Sequence, residues 1–80
     1  MTTDLELRFA ALARQIVKDH TRAAGLIGIT LYRDSQFEIH ARGISDPADR
    51  KAAWRAFVDA FETSLKARFP THPAVTTRRS

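Results

Sequence analysis

The sequence predicts an α+β fold, a single small domain in the order helix, strand, strand, helix, with an antiparallel β-hairpin carrying two helices on one face. Three observations predict it. Apolar residues recur at helical spacing between Thr3 and Gly25, the stretch GLIGITLYRDSQFEIHARG from Gly25 to Gly43 alternates apolar with polar, and a second helical stripe runs from Asp46-Pro47 to Pro70.

The first helix opens at Thr3-Asp4-Leu5-Glu6, where the Thr3 hydroxyl suits an N-cap and Glu6 suits the reciprocal arm of a capping box. Leu5, Phe9, Leu12, Ile16 and Ala23 fall on one stripe that faces the core, and Gly25 supplies the C-terminal stop. On the opposite side Arg8, Arg14, Lys18 and Arg22, with Ala11 and Gln15 among them, make a basic outer face that contains no aromatic residue.

In the middle segment Ile27, Ile29 and Leu31 share one expected strand face with Phe37, Ile39 and Ala41. Thr30, Tyr32, Glu38, His40 and Arg42 share the other. Keeping both apolar sets on one face requires odd-numbered residues opposite odd-numbered ones, which a three-residue loop satisfies, either Arg33-Asp34-Ser35 or Asp34-Ser35-Gln36. A lone hairpin is barely stable in water, so the two helices are expected to cover its apolar face and leave the polar face open.

The last helix starts with Asp46 as N-cap and Pro47 at the first helical position, where its missing N–H costs nothing. Trp54, Phe57, Val58, Phe61, Leu65 and Phe69 form its core stripe. Ala52, Ala56, Ala60, Thr63 and Ala67 form a strip of small residues on the far side. Pro70 ends the helix, so residues 1–70 are read as the compact domain and residues 71–80 as a flexible C-terminal tail.

Composition narrows the function classes. The 80 residues suffice for one domain, and 44% hydrophobic content with five Phe, one Trp and one Tyr supplies a core. With no cysteine there is neither a disulfide framework nor a thiolate metal site, which fits a reducing, cytoplasmic setting, and no stretch is apolar enough for a membrane span. Thirteen Lys and Arg stand against nine Asp and Glu, but Arg78 and Arg79 account for two of them, which leaves eleven against nine for the body. His20, His40 and His72 sit on different elements without metal-ligand spacing, and no serine lies in a nucleophile-elbow context. The expectation is a protein that is not an enzyme and carries no cofactor, metal or catalytic residue.

Function is therefore sought on surfaces. Tyr and Arg are enriched where interfaces bury their strongest contacts, so Thr30, Tyr32, Glu38, His40 and Arg42 on the open sheet face are the expected partner-binding residues, with Arg14, Lys18 and Arg22 steering association from the neighbouring helix. The size, the single domain, the helix-strand-strand-helix order from Thr3 to Pro70 and the lack of a catalytic motif resemble the small phage-encoded anti-CRISPR proteins directed at type I effector complexes. That resemblance implies a stoichiometric inhibitor that binds Cas subunits and blocks target DNA binding or nuclease recruitment. Two alternatives come from the residues themselves: a small basic nucleic-acid-binding module, in which the basic helix contacts phosphates beside Tyr32 and His40, and a homodimeric interaction domain joined through hairpin edges.

Overall fold

The computed structural model describes residues 3–70 as three α-helices, α1 (Asp4–Ala24), α2 (Ile29–His40) and α3 (Pro47–Arg68). No strand occurs among the described residues, so the α+β expectation is corrected to an all-helical fold. The span read as a hairpin consists of a short loop, α2 and the connection to α3. The expected tail, residues 71–80, lies outside the described residues.

Both long helices begin where the sequence placed them. The Thr3 hydroxyl accepts the Glu6 N–H at 3.1 Å while the Thr3 N–H donates to the Glu6 carboxylate at 2.8 Å, which completes the capping box. At α3 the Asp46 carboxylate accepts the Ala48 N–H at 3.0 Å, and Pro47 follows it. From α1, Phe9, Ala13, Ile16 and Val17 are buried. From α3, Ala53, Phe57, Phe61 and Leu65 are buried. Of the expected stripes, Leu5, Leu12, Trp54 and Phe69 pack at the edge of this core, while Ala23 is exposed.

The middle segment is helical because its apolar residues satisfy a second period. Ile29, Arg33, Phe37 and Ala41 are four apart, close to one helical turn, so a helix aligns them on one stripe. Ile29, Phe37 and Ala41 are buried. Arg33, the polar member, lays its guanidinium 5.4 Å from the Trp54 ring centroid and 5.1 Å from that of Phe61, and bonds the Asp34 carboxylate at 2.8 Å. Its stem and planar head thus fill an otherwise apolar position. Alternation of period two cannot distinguish these arrangements, because positions 29, 37 and 41 meet both patterns. Tertiary packing decides between them: α1 and α3 pack directly on each other, with Ala13 and Ala53 fully buried, and a helical middle segment brings Ile29, Phe37 and Ala41 together onto that pair.

Side-chain pairs give the topology. Phe9 lies beside Phe37 and His20 beside Tyr32, while Phe37 meets Trp54 and Phe57, and Arg33 meets Phe61. α2 therefore runs antiparallel to both long helices, which are parallel to each other. At the centre the Phe9, Phe37 and Phe57 rings join all three helices, with centroids 5.3–6.1 Å apart in tilted and edge-on arrangements.

The turn from α1 into α2 depends on glycine. Gly25 and Gly28 have φ of +66° and +67°, and Gly28 sits in the left-handed region with ψ of 11°. A Cβ on Gly28 would meet nothing within 4 Å, so the penalty for Gly28→Ala is backbone strain alone. That substitution is expected to lower stability by about 1–2 kcal/mol without changing the fold. Urea denaturation followed by circular dichroism measures it, and an unchanged midpoint would show that the loop relaxes around an ordinary residue.

Candidate functional site

With Ile29, Arg33, Phe37 and Ala41 turned inward, α2 presents Leu31, Ser35 and Ile39 on the opposite side, each four residues from the next. Leu31 is 75% exposed and Ile39 48%. Ile27, in the loop just before α2, is 83% exposed, and Tyr32 borders the strip at 37%. Leu7, on α1, is the one other large apolar residue so exposed among the described residues. Apolar exposure is thus concentrated between residues 27 and 39. Exposed apolar side chains gathered in one stretch make it the candidate contact surface of the chain.

The surface is braced from beneath. Arg50 of α3 donates to the Glu38 carboxylate and to the Ala41 carbonyl, both at 3.0 Å, and stacks 5.8 Å from the Phe37 centroid. With Arg33 it ties α2 to α3. At the other end the His20 Nε2 lies 2.7 Å from the Ile27 carbonyl oxygen and its ring packs 5.0 Å from that of Tyr32. One α1 side chain thereby holds both the loop that carries Ile27 and the first turn of α2.

The structure separates the residues expected to share one sheet face. Alternate residues of a helix point about 200° apart, so Thr30 and Tyr32 diverge, as do Glu38 and His40. Thr30 is exposed on the first turn, and Tyr32 leans on His20. Glu38 is paired with Arg50, and Arg42 is exposed just past the helix. His40 lines an open cleft of about 350 Å³ with Leu5, Arg8, Ile44, Asp46 and Asp49. Asp46 is engaged in capping α3, and the remaining charges have mixed sign, so the cleft has no convergent chemistry. Arg14, Lys18 and Arg22 are exposed at intervals of four on α1, as expected. Asp19 lies within the same exposed segment, hydrogen-bonded to Gln15 at 3.0 Å. The alanine strip is divided: Ala60 packs against the core, Ala52 and Ala56 are half-buried, and Thr63 and Ala67 are exposed.

Ile27, Leu31 and Ile39 were assigned to the core by alternation, and the structure turns them to solvent. Their signal was legible at helical spacing, since the stripe through Ile29, Phe37 and Ala41 excludes them. Among the described residues no three His, Cys, Asp or Glu side chains gather to hold a metal, and no helix is long and apolar enough to cross a membrane. No protein-family model, curated protein or solved structure matches the chain.

Proposed function

We propose that this chain is a non-catalytic protein-binding domain and that the outward face of α2, centred on Leu31, Ser35 and Ile39, is its docking surface. The observation that carries the reading is the exposure of Leu31 and Ile39 on that face, with Ile27 just before it, over a helix that Arg33, Arg50 and His20 contact from its inner side and ends. A braced amphipathic helix offers a preformed contact strip that a partner binds with little ordering cost.

The anti-CRISPR reading supplies one partner class, the Cas subunits of a type I effector complex. With the helix-strand-strand-helix outline corrected, it rests on small size and the lack of a catalytic motif. The nucleic-acid reading has the exposed row Arg14, Lys18 and Arg22 in its favour, but its expected stacking groups are apart, Tyr32 packed on His20 and His40 at the other end of α2 lining the cleft.

A target-DNA binding assay with a purified type I effector complex tests the partner class and the surface together. The wild-type chain is expected to suppress DNA binding, and Leu31→Glu with Ile39→Glu is expected to weaken that suppression by about a hundredfold or more, because each substitution places a charge in the buried centre of the contact. Both side chains are exposed in the free chain, so circular dichroism should find the double variant folded. Full potency in the folded double variant would remove α2 as the docking surface. Loss of potency on charge reversal at Arg14 and Lys18 instead would transfer the site to α1.

A further inference from the structure

We infer that the outward row of α1, Arg14, Lys18 and Arg22, is a contact surface for the phosphate backbone of duplex DNA, bound without regard to sequence. This goes beyond the docking reading of α2 and is independent of it, because the two surfaces face different ways. Lys18 lies nine residues from Phe9, whose ring meets Phe37 of α2, and nine residues are about two and a half helical turns. The row, with Arg14 and Arg22 to either side of Lys18, therefore stands on the side of α1 turned away from α2.

The three cations are uncommitted. Their side chains are exposed and enter no ion pair among the described residues, whereas Arg33 and Arg50 each hold a carboxylate and an aromatic ring, and Arg8 lies over the ring of Phe9. Between Arg14 and Arg22 the one acidic residue is Asp19, which is turned to its partner Gln15 at 3.0 Å. The helix dipole accounts for a cation in the last turn, where Arg22 stands, but its influence does not reach back to Arg14.

Spacing and chemistry point to phosphate. Steps of four residues set the cations about 6 Å apart along the axis, in a row about 12 Å long. Each strand of a duplex carries a phosphate about every 3.4 Å of axis, so the row meets phosphates along its whole length. Arginine grips phosphate oxygens through two N–H groups and lysine through a point charge, and such contacts position a protein on DNA without specifying a base. No aromatic residue stands in the row and Tyr32 is packed on His20, so the stacking that holds a single strand is missing. The exposed large apolar residue of α1, Leu7, lies about 10 Å along the helix from Arg14, so neither a protein nor a bilayer finds an apolar anchor among the cations.

Fluorescence anisotropy of a labelled 20-base-pair duplex, titrated with the full chain over a salt series, tests this. Three phosphate contacts predict a slope of about −2.7 for log affinity against log salt, which is about a fortyfold loss between 50 and 200 mM. Lys18→Gln is expected to make the slope shallower by about 0.9. Replacing Arg14, Lys18 and Arg22 together with Gln is expected to cut affinity at 50 mM salt by about tenfold or more, with unchanged circular dichroism because all three are exposed and glutamine favours helices equally. Lys51→Gln with Arg55→Gln, an exposed pair on α3, is the control and is expected to leave the slope unchanged. A wild type that does not bind the duplex at low salt, or a triple variant that binds like the parent, overturns the inference. So does loss of binding in the α3 pair or in Arg78→Gln with Arg79→Gln while the triple variant still binds, which places the contact elsewhere in the chain. Poly-L-glutamate that binds the row as tightly as the duplex also overturns it, by assigning the row to an acidic protein. None of these outcomes bears on α2, which the Leu31→Glu with Ile39→Glu variant tests separately.

Discussion

Truncating Phe57 to alanine is expected to cost about 3–5 kcal/mol, the range for a buried Phe whose cavity the surroundings only partly refill. Phe57 is fully buried, and its ring meets Phe9 of α1 at 6.1 Å, Phe37 of α2 at 5.3 Å and Trp54 at 5.9 Å. No one helix can close the gap without moving away from another. Domains hold a margin of roughly 0.05–0.15 kcal/mol per residue, so the loss takes much of what a chain of this length has. Urea unfolding monitored by far-ultraviolet circular dichroism is the measurement. Phe57→Leu, which keeps most of the volume, is expected to remain folded with a much smaller shift. A Phe57→Ala variant as stable as the parent would mean that the three-ring centre is not the core.

The long helices were legible because several independent signals agreed at their ends. Thr3 with Glu6, Gly25, Asp46 with Pro47, and Pro70 are chemical punctuation, and local hydrogen bonding enforces them whatever the rest of the chain does. Between Gly25 and Gly43 that agreement fails. Ile27, Ile29, Thr30 and Ile39 are β-branched and Tyr32 and Phe37 aromatic, all favourable in strands, and the polar run Arg33 to Gln36 resembles a turn. What local chemistry could not reveal is that Arg33 would be half-buried against Trp54 and Phe61, which converts a turn-like residue into part of a helical inner stripe.

The same ambiguity hid the candidate surface. Under alternation, Leu31 and Ile39 belong with Ile29 and Phe37 in the core, so attention falls on the polar set Thr30, Tyr32, Glu38, His40 and Arg42. A helix divides that apolar set in two and disperses the polar one. The basic row of α1 was readable because a solvated helical face depends on spacing alone. The position of Tyr32 against His20 was not, since it depends on how α2 crosses α1.

Ser35→Pro tests the helical middle segment by stability and by helical signal together. Ser35 lies in the interior of α2, where proline forfeits the hydrogen bond to the preceding turn and its ring collides with that turn's carbonyl, at about 3 kcal/mol or more. In either hairpin loop, Arg33-Asp34-Ser35 or Asp34-Ser35-Gln36, the same residue sits in the turn and its N–H bonds no strand partner, so proline there strains the turn but removes no helical signal. The helical fold therefore predicts a melting temperature lower by roughly 12–24 °C, taking about 4–8 °C per kcal/mol for a domain of this size. It also predicts loss of helical circular dichroism beyond the single residue, because breaking α2 frees Phe37 from its contacts with Phe9 and Phe57. Ser35→Ala is the control. Alanine favours the helix and Ser35 is exposed, so its melting temperature should equal or slightly exceed that of the parent. If proline is tolerated as well as alanine, the segment is not helical, Leu31 and Ile39 no longer share an outward strip, and the docking surface proposed on α2 does not exist.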